Sequence, residues 1–152
     1  MSNPLALLGS LFRRPPLLQV AALCLRHHEA EEGRIAEVLL VRSLDSDRWI
    51  VPKGWPMDDK SLYAAAAIEA WEEAGVTGKI SEEELGTFRY TKRRKGGLAE
   101  PCEAHLFRLD VTREAETYPE ATLRERRWFN PQKAARKVRN DELAALILCH
   151  AG

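Results

Sequence analysis

The stretch GWPMDDKSLYAAAAIEAWEEAGV, residues 54–76, sets a glycine loop directly ahead of an alanine-rich segment that ends in acids. Ala64 to Ala67 favour helix intrinsically, and Asp58, Asp59 and Ser61 are each suited to cap a first turn. Gly75 stands where a helix closes on a left-handed residue. The pattern predicts a loop over 53–61 and a helix over 62–74. On that helix Ala66, Ala70 and Ala74 leave a smooth stripe on which a sheet can lie. Glu69, Glu72 and Glu73, at i, i+3 and i+4, project from an adjoining face. Like charges so placed repel by roughly 0.2–0.5 kcal/mol per pair, and no basic residue stands three or four positions away to offset them. A bound divalent cation would supply the counter-charge.

Working outward, LLQVAALCLR (17–26) reads as a largely buried strand, HHEAEEGR (27–34) as a loop, and IAEVLLVR (35–42) as the antiparallel partner of the first strand. RWIVP (48–52) is a short strand after the turn-rich SLDSD (43–47), stopped by Pro52. LGTFRYTK (85–92) and CEAHLFRLDV (102–111) alternate as strands do, on either side of a turn over 95–101. RRWFN (126–130) is another short strand ended by Pro131, and DELAALILCHA (141–151) an apolar helix capped by Asp141. Hairpins interleaved with helices predict an α/β fold with a mixed sheet.

A length of 152 residues suits one domain over 17–152 behind an N-terminal arm over 1–16. Within that arm LALLGSLF (5–12) is apolar, but it is too short to span a bilayer and lacks the basic flank and cleavage site of a targeting segment. Lys plus Arg (23) balances Asp plus Glu (23), so no global field draws the chain onto nucleic acid or an anionic membrane. Cys24, Cys102 and Cys149 are odd in number and far apart, which fits neither a disulfide framework nor a zinc cluster and leads us to expect a reducing cytoplasm. His27, His28, His105 and His150 show no ligand spacing.

Three carboxylates on one helix face suit Mg²⁺ or Mn²⁺, which take oxygen ligands and share them with substrate phosphates, whereas zinc would call for His or Cys. Such an ion polarises a phosphoryl oxygen and acidifies a bound water while a carboxylate takes the proton. That is the chemistry of diphosphate hydrolysis. VPKGWP (51–56) adds exposed backbone groups at a strand end beside the helix.

The same stretch resembles the Nudix hydrolase signature, which runs Gly, five residues, Glu, seven residues, Arg-Glu, apolar, any, Glu-Glu, any, Gly, apolar. Its positions fall here on Gly54, Lys60, Ile68, Glu69, Ala70, Glu72, Glu73, Gly75 and Val76. VAALCLR (20–26), EVLLV (37–41), DRWIVPKG (47–54) and RRWF (126–129) resemble the strands around that signature, so the likeness covers most of 17–138. The resemblance implies an α/β/α sandwich in which the carbonyl of Gly54 and the carboxylates of Glu69, Glu72 and Glu73 bind metal, Mg²⁺ or alternatively Mn²⁺. Two positions depart from it. Lys60 stands for a Glu, with Asp58 and Asp59 close by in the loop, and Ile68 stands for the Arg that commonly orients the carboxylates, a task left to a basic side chain from elsewhere. Many relatives add a Glu outside the signature as base or ligand. Glu100, Glu103, Glu120 and Glu125 are available, and Glu120, in the polar loop before RRWF, is preferred.

DRWIVPKGW and EEAGV (72–76) look most like the branch that acts on diphosphoinositol polyphosphates and diadenosine polyphosphates. Such phosphate-rich small molecules demand several cations near the metal. Arg42 and Lys53, at the ends of predicted strands, and Lys92 and Arg93, within RYTKRRK (89–95), are the candidate phosphate contacts. Leu18 and Gln19 stand where the inositol branch carries basic residues. Trp55 is placed to stack on a base, while Trp49, Trp71 and Trp128 read as packing residues. The expected activity is a Mg²⁺-dependent pyrophosphohydrolase. Its rivals are hydrolysis of ADP-ribose or nucleoside triphosphates, and, motivated by Lys60 and Ile68, a non-catalytic Nudix binding or regulatory module.

Overall fold

The computed structural model describes residues 15–44, 46–93 and 96–151. Of the expected N-terminal arm only Pro15 and Pro16 fall within it, and Arg94 and Lys95 fall outside. In chain order the elements are β1 (Leu17–Ala30), β2 (Gly33–Arg42), β3 (Trp49–Ile50), β4 (Lys53–Gly54) and α1 (Leu62–Ala74). They continue as β5 (Val76–Arg93), β6 (Ala99–Glu114), β7 (Arg126–Phe129), α2 (Pro131–Lys137) and α3 (Asp141–His150).

The sheet runs β3-β2-β1-β6-β5, with β4 also paired to β1 and β7 to β2. It is mixed, because β1 and β6 run parallel from Leu17↔Cys102 to Leu25↔Asp110 while the other ladders are antiparallel. The alternation of β1 divides the core in two. Val20, Ala22 and Cys24 pack beneath α1, and Ala21, Leu23 and Leu25 face the opposite layer, where α2 and α3 supply Ala134, Leu143 and Ile147. Helices on both faces make the α/β/α sandwich.

α1 is built as its sequence dictates. Ser61 caps it by accepting from Ala64 N at 3.3 Å, and Gly75, at φ 67°, returns its N–H to Trp71 O at 2.9 Å. Ala66, Ala70 and Ala74 are fully buried, so this face settles close on the sheet with no bulky side chain between. That closeness brings the acids to the end of β4.

Elsewhere the sequence misled in instructive ways. Residues 27–34, expected as a loop, are mostly strand, since the β1–β2 ladder runs on to Ala30↔Gly33. This end of the hairpin lies beyond the core and is held by polar cross-strand pairs, Arg26–Glu37 at 3.0 Å and His28–Glu37 at 3.1 Å, that carry no apolar signal. β5 starts at Val76 rather than 85, because irregularities around Gly78, Glu84 and Gly86 scramble the two-residue alternation that marks a strand. RWIVP is broken at Val51 and Pro52 into β3, paired to β2, and β4, paired to β1. Pro131 both ends β7 and opens the unanticipated α2, whose first turn Asn130 caps through Lys133 N at 2.8 Å. Asn140, not Asp141, caps α3.

Candidate metal and phosphate site

α1 presents its acids to the backbone of β4. Glu73 is buried, 7% exposed, and accepts from the N–H of Lys53 at 3.3 Å. The carboxylate of Glu69 lies so close over Gly54 that a Cβ there would overlap it and displace the acid. β4 itself is fixed by the pairs Val20↔Gly54 and Ala21↔Lys53.

A fourth carboxylate arrives from a distant part of the chain. The segment after β6 wraps the C-terminal end of α1: Ala115 N bonds Gly75 O at 2.8 Å, Glu120 N bonds Glu72 O at 3.0 Å, and Arg126 Nη1 bonds Ala74 O at 2.7 Å. Tyr118 fills the space beside Gly75 that a Cβ would need. The wrap sets Glu120 close enough to act electrostatically on both Glu69 and Glu73. Of the other acids weighed for that role, Glu125 is engaged by Arg42 at 3.5 Å and Arg127 at 2.6 Å. Glu100 and Glu103 lie on β6 opposite Lys92 and Arg89. Asp58, Asp59 and Lys60 are exposed, and among the described residues no hydrogen bond or ion pair joins them to the cluster.

These acids strain against one another. Burial pushes the Glu69 carboxyl from 4.5 up to about 7, and the charges of Glu73, Glu72 and Glu120 add to it while Lys53 opposes. Burial likewise raises Glu73 to about 7, with Glu120 adding to the rise, against the pull of Arg124 and of Lys53. Cys24, fully buried beneath α1, has its thiol pushed further up by burial and by Glu73, so it is no thiolate ligand. The donor set is therefore hard oxygen and short of positive charge, which fits Mg²⁺ or Mn²⁺. Among the described residues no three His, Cys, Asp or Glu side chains already close into a self-sufficient ion cage. Mg²⁺ characteristically completes its shell with water and substrate phosphate rather than with an all-protein cage.

Among Trp49, Tyr90 and Val138, on the side of the sheet that carries α2 and α3, opens a cleft of about 310 Å³ whose lining includes Arg48, Lys53, Lys92, Arg93 and Arg139 and, among the described residues, no carboxylate. Lys53 belongs to both places: its backbone holds Glu73 and its side chain lines the cleft, with Nζ 4.3 Å from the centre of the Tyr90 ring. Of the four cations singled out in the sequence, Lys53, Lys92 and Arg93 come together here. Arg42 does not line the cleft. It pairs with Asp47 at 3.3 Å and Glu125 at 3.5 Å and lies over Trp49, because its strand end meets the acidic residues of the neighbouring turns. Trp55 has Lys92 Nζ 4.9 Å from its ring centre, so one face already carries a cation where base stacking was expected.

A sequence model of the NUDIX domain matches residues 17–148. The chain belongs to the Nudix family. It is 37% identical over 109 residues to Nudix hydrolase 4 of Arabidopsis thaliana, covering 72% of this chain and 51% of that protein. It is 35% identical over 119 residues to mouse (Mus musculus) diphosphoinositol polyphosphate phosphohydrolase 3-alpha, covering 76% and 65%. The chain thus spans about half the length of the Arabidopsis relative. Among solved structures, the NUDIX domain of Shewanella oneidensis NrtR, complexed with ADP ribose, superimposes with a TM-score of 0.64 at 18% identity, covering 99% of this chain and 94% of that one. The Caenorhabditis elegans Ap4A hydrolase gives 0.59 at 18% identity, covering 88% and 95%. At such identities these two likenesses concern the fold.

In this Nudix domain a second basic side chain beside the acids, besides Lys53, is Arg124, which sequence reasoning missed. Its Nη2 lies 2.8 Å from Glu120 Oε1, and its Nη1 lies 3.6 Å from Glu73 Oε1 and donates to Arg42 O at 3.4 Å. Within the arginine-rich RERRW (124–128) nothing distinguished it from a solvated charge. Arg48 and Arg139 were missed likewise, and only the fold shows that they line the cleft.

Proposed function

We propose that this Nudix domain is a Mg²⁺- or Mn²⁺-dependent pyrophosphohydrolase that cleaves a phosphoanhydride bond in a phosphate-rich small molecule, of the diphosphoinositol polyphosphate or diadenosine polyphosphate kind. The observation that carries this reading is the double engagement of Lys53, whose backbone holds one acid of the α1 cluster while its side chain lines a cleft that, among the described residues, also carries Arg48, Lys92, Arg93 and Arg139. Acids short of positive charge favour a divalent ion, and cations with no acid among them, as far as the described residues go, favour a polyanion. The identity to the mouse diphosphoinositol polyphosphate phosphohydrolase supports the substrate class.

The division of labour follows from the contacts. Lys53, Lys92, Arg93, Arg48 and Arg139 bind the substrate phosphates. Gly54, Glu69, Glu72 and Glu73 hold the ion, with Glu120 as a further ligand or base, and the ion contributes Lewis-acid stabilisation of the phosphoryl oxygens. Among the described residues no hydrogen bond or ion pair engages the side chain of Glu69, which leaves its carboxylate open to the ion. One of these carboxylates takes the proton from the attacking water. Cys24, Cys102 and Cys149 are free thiols, in keeping with action in a reducing cytoplasm.

A panel of diphosphoinositol polyphosphates, diadenosine polyphosphates, ADP-ribose and nucleoside triphosphates, assayed by phosphate and product release, tests the reading. We expect turnover on the first two classes with Mg²⁺ or Mn²⁺ and its disappearance with chelator. Preference for ADP-ribose or a nucleoside triphosphate would replace the substrate class, and tight binding without turnover under either metal would make the protein a binding module.

A further inference from the structure

We propose that Arg124 is a positioning residue, holding Glu73 of α1 and Glu120 of the wrapping segment at the spacing the site needs and tying both to the rim of the phosphate cleft. Its side chain is 10% exposed, against 9% for Glu73 and 22% for Glu120. The contrast with a surface pair such as Arg89–Glu142, 3.9 Å apart and 73% and 49% exposed, is one of kind. Exposed pairs of that sort hold little, whereas a desolvated guanidinium between two desolvated acids fixes their geometry.

The planar fork is what makes this possible. One guanidinium reaches Glu120 Oε1, Glu73 Oε1 and the carbonyl of Arg42 together. An ammonium, a point charge on a flexible stem, cannot span all three. Arg42 is followed directly by Ser43, which lines the cleft, so the same side chain links substrate rim and acids. Ile68, on α1 itself, offers no charge for this task. Arg124 Nε is buried with no hydrogen-bond partner among the described residues, and the side chain is held through its two terminal nitrogens.

A distinctive sign follows. Removing Arg124 takes a positive charge away from acids that bind a cation, so ion affinity holds or tightens, while their mutual geometry loosens and turnover falls. For Arg124→Met and Arg124→Lys we expect kcat to drop about 10- to 100-fold, the scale seen when residues that orient metal ligands are lost. KM should change by no more than about twofold, because the cleft cations are untouched. Mn²⁺ affinity measured by calorimetry should not weaken in Arg124→Met, and the electron paramagnetic resonance spectrum of bound Mn²⁺ should change. Arg124→Lys keeps the charge and guards against a variant that fails to fold.

Native kcat with an unchanged Mn²⁺ spectrum in both variants would overturn the proposal. Parallel loss of ion binding and turnover would also overturn it, since that marks collapse of the site rather than loss of alignment. The turnover arm rests on the hydrolase reading and the spectroscopic arm does not. If the native chain binds Mn²⁺ but hydrolyses nothing on the panel, the proposed function falls and the spectrum alone decides the role of Arg124.

Discussion

Glu73→Gln is expected to lower turnover by roughly 10²- to 10³-fold, the cost of removing a group that stabilises transition-state charge, while making the metal-free protein more stable at pH 8. The two effects have one origin. Glu73 is buried among acids, and its carboxyl rises from 4.5 to about 7 in the fold. A raised carboxyl contributes its full stability below the unfolded value of 4.5 and loses it as pH climbs through about 7. At pH 8 the ionised group therefore costs at most about 3 kcal/mol, which in a chain of this size is a melting temperature lower by roughly 5–10 °C. Glutamine keeps an acceptor for Lys53 N and carries no charge at any pH. Melts at pH 5 should nearly coincide for native and variant, and those at pH 8 should separate with the variant higher. Saturating Mg²⁺ or Mn²⁺ should raise the native curve at pH 8 and leave the variant almost unmoved. Coincident curves at pH 8 would mean that burial and the charge of Glu120 do not hold the Glu73 carboxyl up.

Replacing Lys92 and Arg93 together by alanine is expected to raise KM for the phosphate-rich substrates by about 10²-fold or more, because each charge-assisted contact to phosphate is worth ~1.5–3 kcal/mol. Both residues line the cleft, at the end of β5 and away from the acids of α1. The loss should accordingly appear in KM far more than in kcat, and the native advantage should shrink as salt is raised. Steady-state kinetics at two ionic strengths check this. An unchanged KM at low salt would take the substrate out of the cleft.

What the sequence made legible was local. The i, i+3, i+4 spacing of Glu69, Glu72 and Glu73, the three capping candidates from which the fold uses Ser61, and the glycine stop of α1 are all written within one short segment, where periodicity and capping act without help from the rest of the chain. That β1 is a largely buried strand was readable too, from its apolar run, while its division between two layers was shown by the fold. What was not legible depends on chain returning from afar. Arg124 looked like any arginine of a basic run until the segment after β6 was seen to wrap α1. Glu120 could be preferred in the sequence only as an acid in a polar loop, and the wrap is what sets it beside Glu69 and Glu73. Arg42, whose strand end suggested a phosphate contact, pairs with Asp47 and Glu125 and lies outside the cleft lining, which its position in the sequence did not announce. The first half of β5 was hidden by its own irregular ladder, which breaks the only signal a strand sends.

Calorimetric titration of Mn²⁺ into the metal-free protein and into Glu69→Gln/Glu73→Gln, each saturated with a non-hydrolysable phosphate-rich analogue, goes to the heart of the site. The native chain should take up the ion with a saturable heat that the double variant lacks. Equal uptake by both proteins, or none by the native one, would contradict the assignment of these acids to metal.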